Sequence, residues 1–101
     1  MNRWTSDLVA GALKEAAVAR REIEGSAANH VDPTAVGAMT ATAGWTAMLD
    51  DTDAQIVRLR SSGTRWKPIC WQLGIGRATA HRRFNSALRR IAEHLNAIAT
   101  G

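Results

Sequence analysis

Residues 66–98 read WKPICWQLGIGRATAHRRFNSALRRIAEHLNAI, and the pattern of apolar and glycine residues in this segment predicts two helices joined by a tight turn. A short segment with an apolar face, 66–73, leads into the tripeptide Gly74-Ile75-Gly76. After the tripeptide, apolar residues recur at intervals of three or four, at Ala80, Phe84, Leu88, Ile91, Leu95 and Ile98. This spacing places them on one face of an α-helix and predicts a long helix over residues 77–98.

The tripeptide is typical of a tight connection between two helices. Pro68 fits the first turn of a short helix that starts at residue 66 or 67 and ends at Leu73. Gly74 can adopt the left-handed conformation that closes a helix. A short helix, a glycine-containing turn and a longer helix form the helix-turn-helix pattern, in which the first helix braces the second.

Three further helices are predicted ahead of this motif. The first covers roughly residues 5–24 and stops at Gly25, and the second opens with Asp32 as its cap and ends at residues 50–51. The third starts at residues 52–53 and ends near Ser62. We therefore expect an all-α fold with about five helices, in which an N-terminal helical pair precedes a C-terminal helix-turn-helix with a long recognition helix.

Positive charge is concentrated in the second half of the chain. The net charge is +4, but residues 1–50 carry four basic and six acidic residues, whereas residues 51–101 carry nine basic and three acidic ones. Eight of those nine basic residues are arginine, which suits bidentate contacts with phosphate and guanine. Such a basic half on a small chain indicates a polyanionic partner, and nucleic acid above all.

The first turns of the long helix are predicted to form the DNA-reading surface. The positions opposite the apolar stripe are Arg77, Ala78, His81, Arg82 and Asn85. In a major groove, arginine reads guanine edges and asparagine reads adenine edges. Residues at the margins are placed to hold phosphates and fix the register: Arg65, Lys67, Thr79 and Arg83. Double-stranded DNA is the expected partner of these nine residues.

The expected organisation follows from length and charge. Residues 1–51 form an N-terminal helical segment for packing or oligomerisation, and residues 52–101 form the DNA-binding region, with the motif itself over 52–95. The 101 residues suit one compact domain. A core of this size is marginally stable alone, which favours a homo-oligomer, either a dimer or a larger assembly.

The motif resembles a known DNA-binding element. Over residues 66–90, about a quarter of the chain, the sequence is similar to the helix-turn-helix of sigma-factor region 4. Nine residues fit the positions of that pattern: Trp66, Ile69, Leu73, Gly74, Ile75, Thr79, Arg83, Ala87 and Leu88.

A resemblance to a family of uncharacterised phage and prophage proteins spans nearly the whole chain. It rests on Trp4-Thr5, Leu49-Asp50 and the segments 53–57, 66–69 and 77–83. This resemblance implies a phage-related role.

The sequence favours a binding module over an enzyme. It contains no glycine-rich phosphate loop, paired catalytic carboxylates or nucleophile–base spacing, so no catalytic residue and no cofactor is predicted. Its three histidines share no metal-ligand spacing, and the single cysteine, Cys70, fits a reducing cytoplasm. No apolar run is long enough to cross a membrane.

Three functions are compatible with these features. The first is a transcriptional regulator of phage genes, and the second is a phage small terminase subunit that recognises viral DNA for packaging. The third is a protein-interaction module. Trp71 lies off the apolar face of its helix, so it is expected to pack on the N-terminal helices, on another subunit or against the DNA backbone.

Overall fold

A computed structural model describes residues 3–25 and 33–100. It contains five α-helices: α1 (Ser6–Gly25), α2 (Pro33–Ala47), α3 (Asp51–Ser61), α4 (Trp66–Leu73) and α5 (Arg77–Thr100). The described residues include no β-strand. The predicted all-α fold with about five helices, including the short helix, the three-residue turn and the long helix, is confirmed.

The start of α3 differs from the sequence prediction. The predicted start at residues 52–53 is wrong, because Asp50 is the N-cap and the helix begins at Asp51. The Asp53 backbone N–H donates a hydrogen bond to Asp50 Oδ1 at 2.8 Å. The carboxylate thereby satisfies one of the backbone N–H groups that the first turn of a helix leaves unpaired.

The end of α2 was also predicted too late. This helix ends at Ala47, and the chain then turns, with the Leu49 N–H donating to the Thr46 carbonyl at 3.1 Å. The turn directs Leu49 into the core, where it is buried. The proposed cap of α2, Asp32, lies outside the described residues.

The main hydrophobic core joins α1 to α3 and α5. Its buried members are Val9, Leu13, Leu49, Ala54, Val57, Ala87, Leu88, Ile91 and Ala92. The apolar face of α5 is therefore covered by α1 and α3 of the same chain. The last apolar position of the predicted stripe, Ile98, remains 62% exposed.

Two hydrogen bonds connect the beginning of α1 to the last turns of α5. The Trp4 N–H donates to Asn96 Oδ1 at 2.8 Å, and Asn96 Nδ2 donates to the Trp4 carbonyl at 3.0 Å. The Trp4 ring also packs edge-on against the Trp45 ring of α2, with 5.3 Å between the ring centroids. Both terminal parts of the described chain are thus held against the same core.

The C-terminal helices form a second packed region. Each of α3, α4 and α5 contacts the other two. Among the completely buried residues of these helices are Ile56 on α3, Ile69 on α4 and Ala80 on α5. Burial of these three side chains holds α4 in place beside the first turns of α5.

The described residues give two further findings. No helix among them is both long enough and apolar enough to span a membrane. No group of three potential metal-ligating side chains is found among them either.

Candidate nucleic-acid interface

The turn between α4 and α5 positions the candidate surface. Gly74 has φ 65° and ψ 35°, the left-handed conformation expected from its place after Leu73. The Ile75 N–H donates to the Cys70 carbonyl at 3.2 Å, and the Ala80 N–H donates to the Gly76 carbonyl at 2.9 Å. The chain therefore leaves one helix and enters the next within three residues, and backbone hydrogen bonds close the end of α4 and the start of α5.

Gly74→Ala should lower the free energy of unfolding by about 1–2 kcal/mol, because a Cβ disfavours the left-handed region. Steric overlap with neighbours cannot be the cause, since no atom lies within 4 Å of a Cβ built at this position. Gly74→Asn is the matched control and should lose less, because asparagine tolerates this conformation. Urea denaturation measures both variants, and equal stability of Gly74→Ala and the wild type would contradict the assigned turn.

The predicted reading positions lie together on the first turns of α5. Arg77, Ala78, Arg82 and Asn85 are exposed, whereas His81 is half-buried. Arg82 Nη2 donates to Thr79 Oγ1 at 3.5 Å, so the half-buried Thr79 contacts a reading residue directly. The exposed side chains of Arg77, Arg82 and Asn85 remain accessible to a ligand.

The position of His81 is determined by an aromatic cluster. Its ring centroid lies 4.0 Å from that of Trp66, at an interplanar angle of 30°. Phe84 meets the same indole edge-on, at 5.4 Å between centroids. The Arg60 guanidinium carbon lies 5.0 Å from the Trp66 ring centroid, within the range of a cation–π contact. These contacts join α3, α4 and α5 beside the predicted reading positions.

Arg83 is directed towards α3 and has carboxylate partners there. Its Nη1 donates to Asp53 Oδ1 at 3.2 Å and lies 3.9 Å from Asp50 Oδ2. The Asp53 side chain is only 13% exposed, whereas that of Arg83 is 42% exposed. The pair connects α5 to the N-terminus of α3, so its geometry suits a residue that orients α5 rather than one that is free to hold a phosphate.

Sequence reasoning missed this ion pair and the contribution of Arg60. The sequence signal for this ion pair was the cluster of three aspartates among residues 50–53, at the start of a helix. Arg60 gave no local signal, because its partners are reached only after α3 and α4 have packed. Its Nη1 donates to the Thr64 carbonyl at 3.3 Å, which helps to hold the connection between these helices.

The other two marginal residues lie at the start of α4. Arg65 is the N-cap of this helix, and Lys67 is in its first turn. Both side chains are exposed. They add positive charge near the beginning of α5, because only the three-residue turn separates α4 from α5.

A long stretch of the chain around this site contains no acidic residue. Residues 54–92 include nine lysines and arginines and not one aspartate or glutamate. The stretch covers most of α3, all of α4 and the first two-thirds of α5. A polyanion approaching α4 and the first turns of α5 would therefore meet positive charge, with the nearest carboxylates in sequence at Asp53 and Glu93.

Trp71 projects from α4 and is 87% exposed. It therefore does not pack on the N-terminal helices, and this alternative from the sequence is excluded. Two shallow hollows lie beside the indole. One is lined by Lys67, Pro68 and Gln72, and the other by Lys67, Cys70, Ile75 and Arg77.

These features define a small all-α protein with a tight turn, a long helix and a basic stretch, residues 54–92, that contains no acidic residue. The chain belongs to the family of a domain of unknown function, DUF6362, whose model matches residues 10–91. The match includes all of α2, α3 and α4 together with most of α1 and the basic part of α5. No curated protein and no solved structure matches the chain.

Proposed function

We propose that this protein binds double-stranded DNA through the first turns of α5 and acts as a transcriptional regulator rather than an enzyme. The observation that carries the proposal is the exposed set Arg77, Arg82 and Asn85 on a helix that follows a three-residue turn, within a stretch free of carboxylates. In helix-turn-helix proteins this arrangement lets the second helix enter the major groove.

The proposed binding mode divides the surface into reading and positioning residues. From Arg77 to Asn85 the helix rises about 12 Å, which corresponds to three or four base pairs. Arg77 and Arg82 would contact guanine edges and Asn85 an adenine edge, while Arg65 and Lys67 would hold phosphates. Arg83 would act indirectly, because its ion pair with Asp53 orients the helix that carries the reading residues.

The biological setting is part of the proposal. A regulatory role in a phage or prophage rests on the sequence resemblance alone. Work on DNA would place the protein in the cytoplasm, where the thiol of Cys70 stays reduced. A two-fold symmetric consensus selected from random duplexes, together with a dimeric native mass, would support a regulator that binds as a homodimer. A large ring would favour a packaging protein.

Salt dependence of duplex affinity tests the proposal. If the exposed cations Arg65 and Lys67 each neutralise a phosphate, affinity should fall about tenfold between 50 and 200 mM salt. Fluorescence anisotropy with a labelled duplex measures the slope. Absence of binding at low salt, or an affinity that does not change with salt, would contradict phosphate contact and favour a protein-interaction module.

A further inference from the structure

The exposure of Trp71 is not explained by folding. A tryptophan side chain buries 150–250 Å² when it is packed, and this makes it one of the most stabilising side chains at an interface. Trp71 leaves 87% of its surface in solvent and lies at the middle of α4, where the opposite face supplies the buried Ile69. The indole therefore contributes little to the packing of this chain and is available to a ligand.

The surroundings of Trp71 indicate the charge of that ligand. Lys67 lies one helical turn before it and lines both hollows beside the indole, and Arg77 lines one of them from the start of α5. No carboxylate lines either hollow. An aromatic ring with two cations beside it matches a ligand that has a flat or apolar part next to negative groups.

We propose that Trp71, Lys67 and Arg77 form a site for one nucleotide of the bound DNA. The indole packs on the base or sugar of that nucleotide, Lys67 contacts a flanking phosphate, and Arg77 connects this site to the guanine that it reads. Aromatic side chains within a basic groove bind nucleic acid in this way. Arg77 belongs to both surfaces, so the site is continuous with the reading surface on α5. This inference rests on the proposed function and extends it beyond the major groove.

The nucleotide has two possible sources that share this chemistry. A paired nucleotide in a continuous duplex presents its sugar to the indole, because its base faces are covered by neighbouring bases. An unpaired nucleotide at an end or a gap also presents a base face, which stacks more favourably. The two sources are distinguished by comparing a blunt duplex with the same duplex carrying a short single-stranded overhang.

The test measures the affinity of full-length Trp71→Ala for both labelled DNAs by fluorescence anisotropy at fixed salt. For an unpaired nucleotide, the variant should bind the overhang DNA about five- to 150-fold more weakly than the wild type. Trp71→Phe should recover most of the loss, whereas Trp71→Leu, which is apolar but not flat, should not. Ile98→Ala is the matched control, because it removes another exposed apolar side chain at the far end of α5.

The outcomes separate this inference from the function on which it rests. A greater loss on the overhang DNA identifies an unpaired nucleotide, and an equal loss on both DNAs identifies a paired one; either result supports the site. If the wild type binds and Arg77→Ala weakens binding, but Trp71→Ala binds like the wild type, the site is refuted while the proposed function stands. A change in native mass for Trp71→Ala with unchanged DNA affinity would assign the indole to a protein interface and overturn the inference. A wild type that binds neither DNA overturns both.

Discussion

Ile91→Ala should lower the free energy of unfolding by about 2–5 kcal/mol, the usual cost of truncating a large buried aliphatic side chain. Ile91 is completely buried and belongs to the core that joins α1, α3 and α5. Its truncation removes apolar contacts and leaves a cavity between three helices. Since small domains are stable by only about 5–15 kcal/mol, much of the protein's stability should be lost. Urea denaturation followed by circular dichroism measures the change.

Ile98→Ala provides the matched control for this prediction. It is the same substitution on the same helix two turns later, at a side chain that is 62% exposed. The expected change in stability is within about 0.5 kcal/mol of zero, as for most surface positions. Equal destabilisation by the two variants would contradict the packing of α1 on α5, because the two side chains would then have comparable surroundings.

Arg82→Ala should reduce affinity for the duplex selected from random sequences by about five- to 150-fold without changing the melting temperature of the protein. The expected loss corresponds to one bidentate contact between arginine and guanine. Arg82 is exposed, and the hydrogen bond that its side chain makes among the described residues is the 3.5 Å contact with Thr79, so we expect folding not to depend on this side chain. Arg77→Ala should cause a similar loss of affinity. Anisotropy on the selected site and on an unrelated duplex measures how much of the loss is specific.

Arg89→Ala controls for the loss of one positive charge. Arg89 is an exposed arginine on the same face of α5, two turns beyond Arg82. Its removal should weaken binding to both duplexes slightly and leave the preference for the selected site intact. An equal loss of preference in both variants would show that the reading surface extends further along α5 or lies elsewhere.

A stability comparison tests the orientation of α5 about its axis. Phe84 was predicted to face inward, and its ring does pack against the core and against Trp66, but it is only half-buried. Its truncation should therefore cost less than the ~3–5 kcal/mol of a fully buried phenylalanine. Unfolding by Arg82→Ala together with tolerance of Phe84→Ala would mean that the two faces had been assigned the wrong way round.

The parts of the fold that depend on local patterns were predictable from the sequence. The periodic apolar residues of α5 and the Gly74 turn act within a few positions, so residue spacing was sufficient to place them. The start of α3 was not, because residues 50–53 offer four neighbouring side chains that can each cap a helix. The residue that caps α3 is Asp50, and its carboxylate lies near Arg83, which is 33 positions further along the chain. A contact over that distance is not visible in the local sequence.

The candidate site shows the same difference between features set by local spacing and features set by contacts between helices. Helical spacing placed Arg82 and Asn85 on the outward face, and they are exposed, whereas Arg77 is exposed as the first residue of α5. The partner of Arg83 and the ring contact between His81 and Trp66 depend on how separate helices pack, which periodicity does not specify. Trp71 was correctly placed off the apolar face, but the sequence of one helix could not decide whether other helices of the chain would cover it.

The paired hydrogen bonds between Trp4 and Asn96 have a consequence for the order of folding. They join positions 92 residues apart, and the core contacts of α1 with α5 are similarly distant in sequence. Helices α3, α4 and α5 are neighbours along the chain and can assemble quickly, since short loops close at little entropic cost. Docking of α1 must wait until α5 is present. During synthesis on the ribosome, the part of α1 that packs on α5 therefore stays uncovered until almost the whole described chain has emerged, although α2 and α3 are available to α1 earlier.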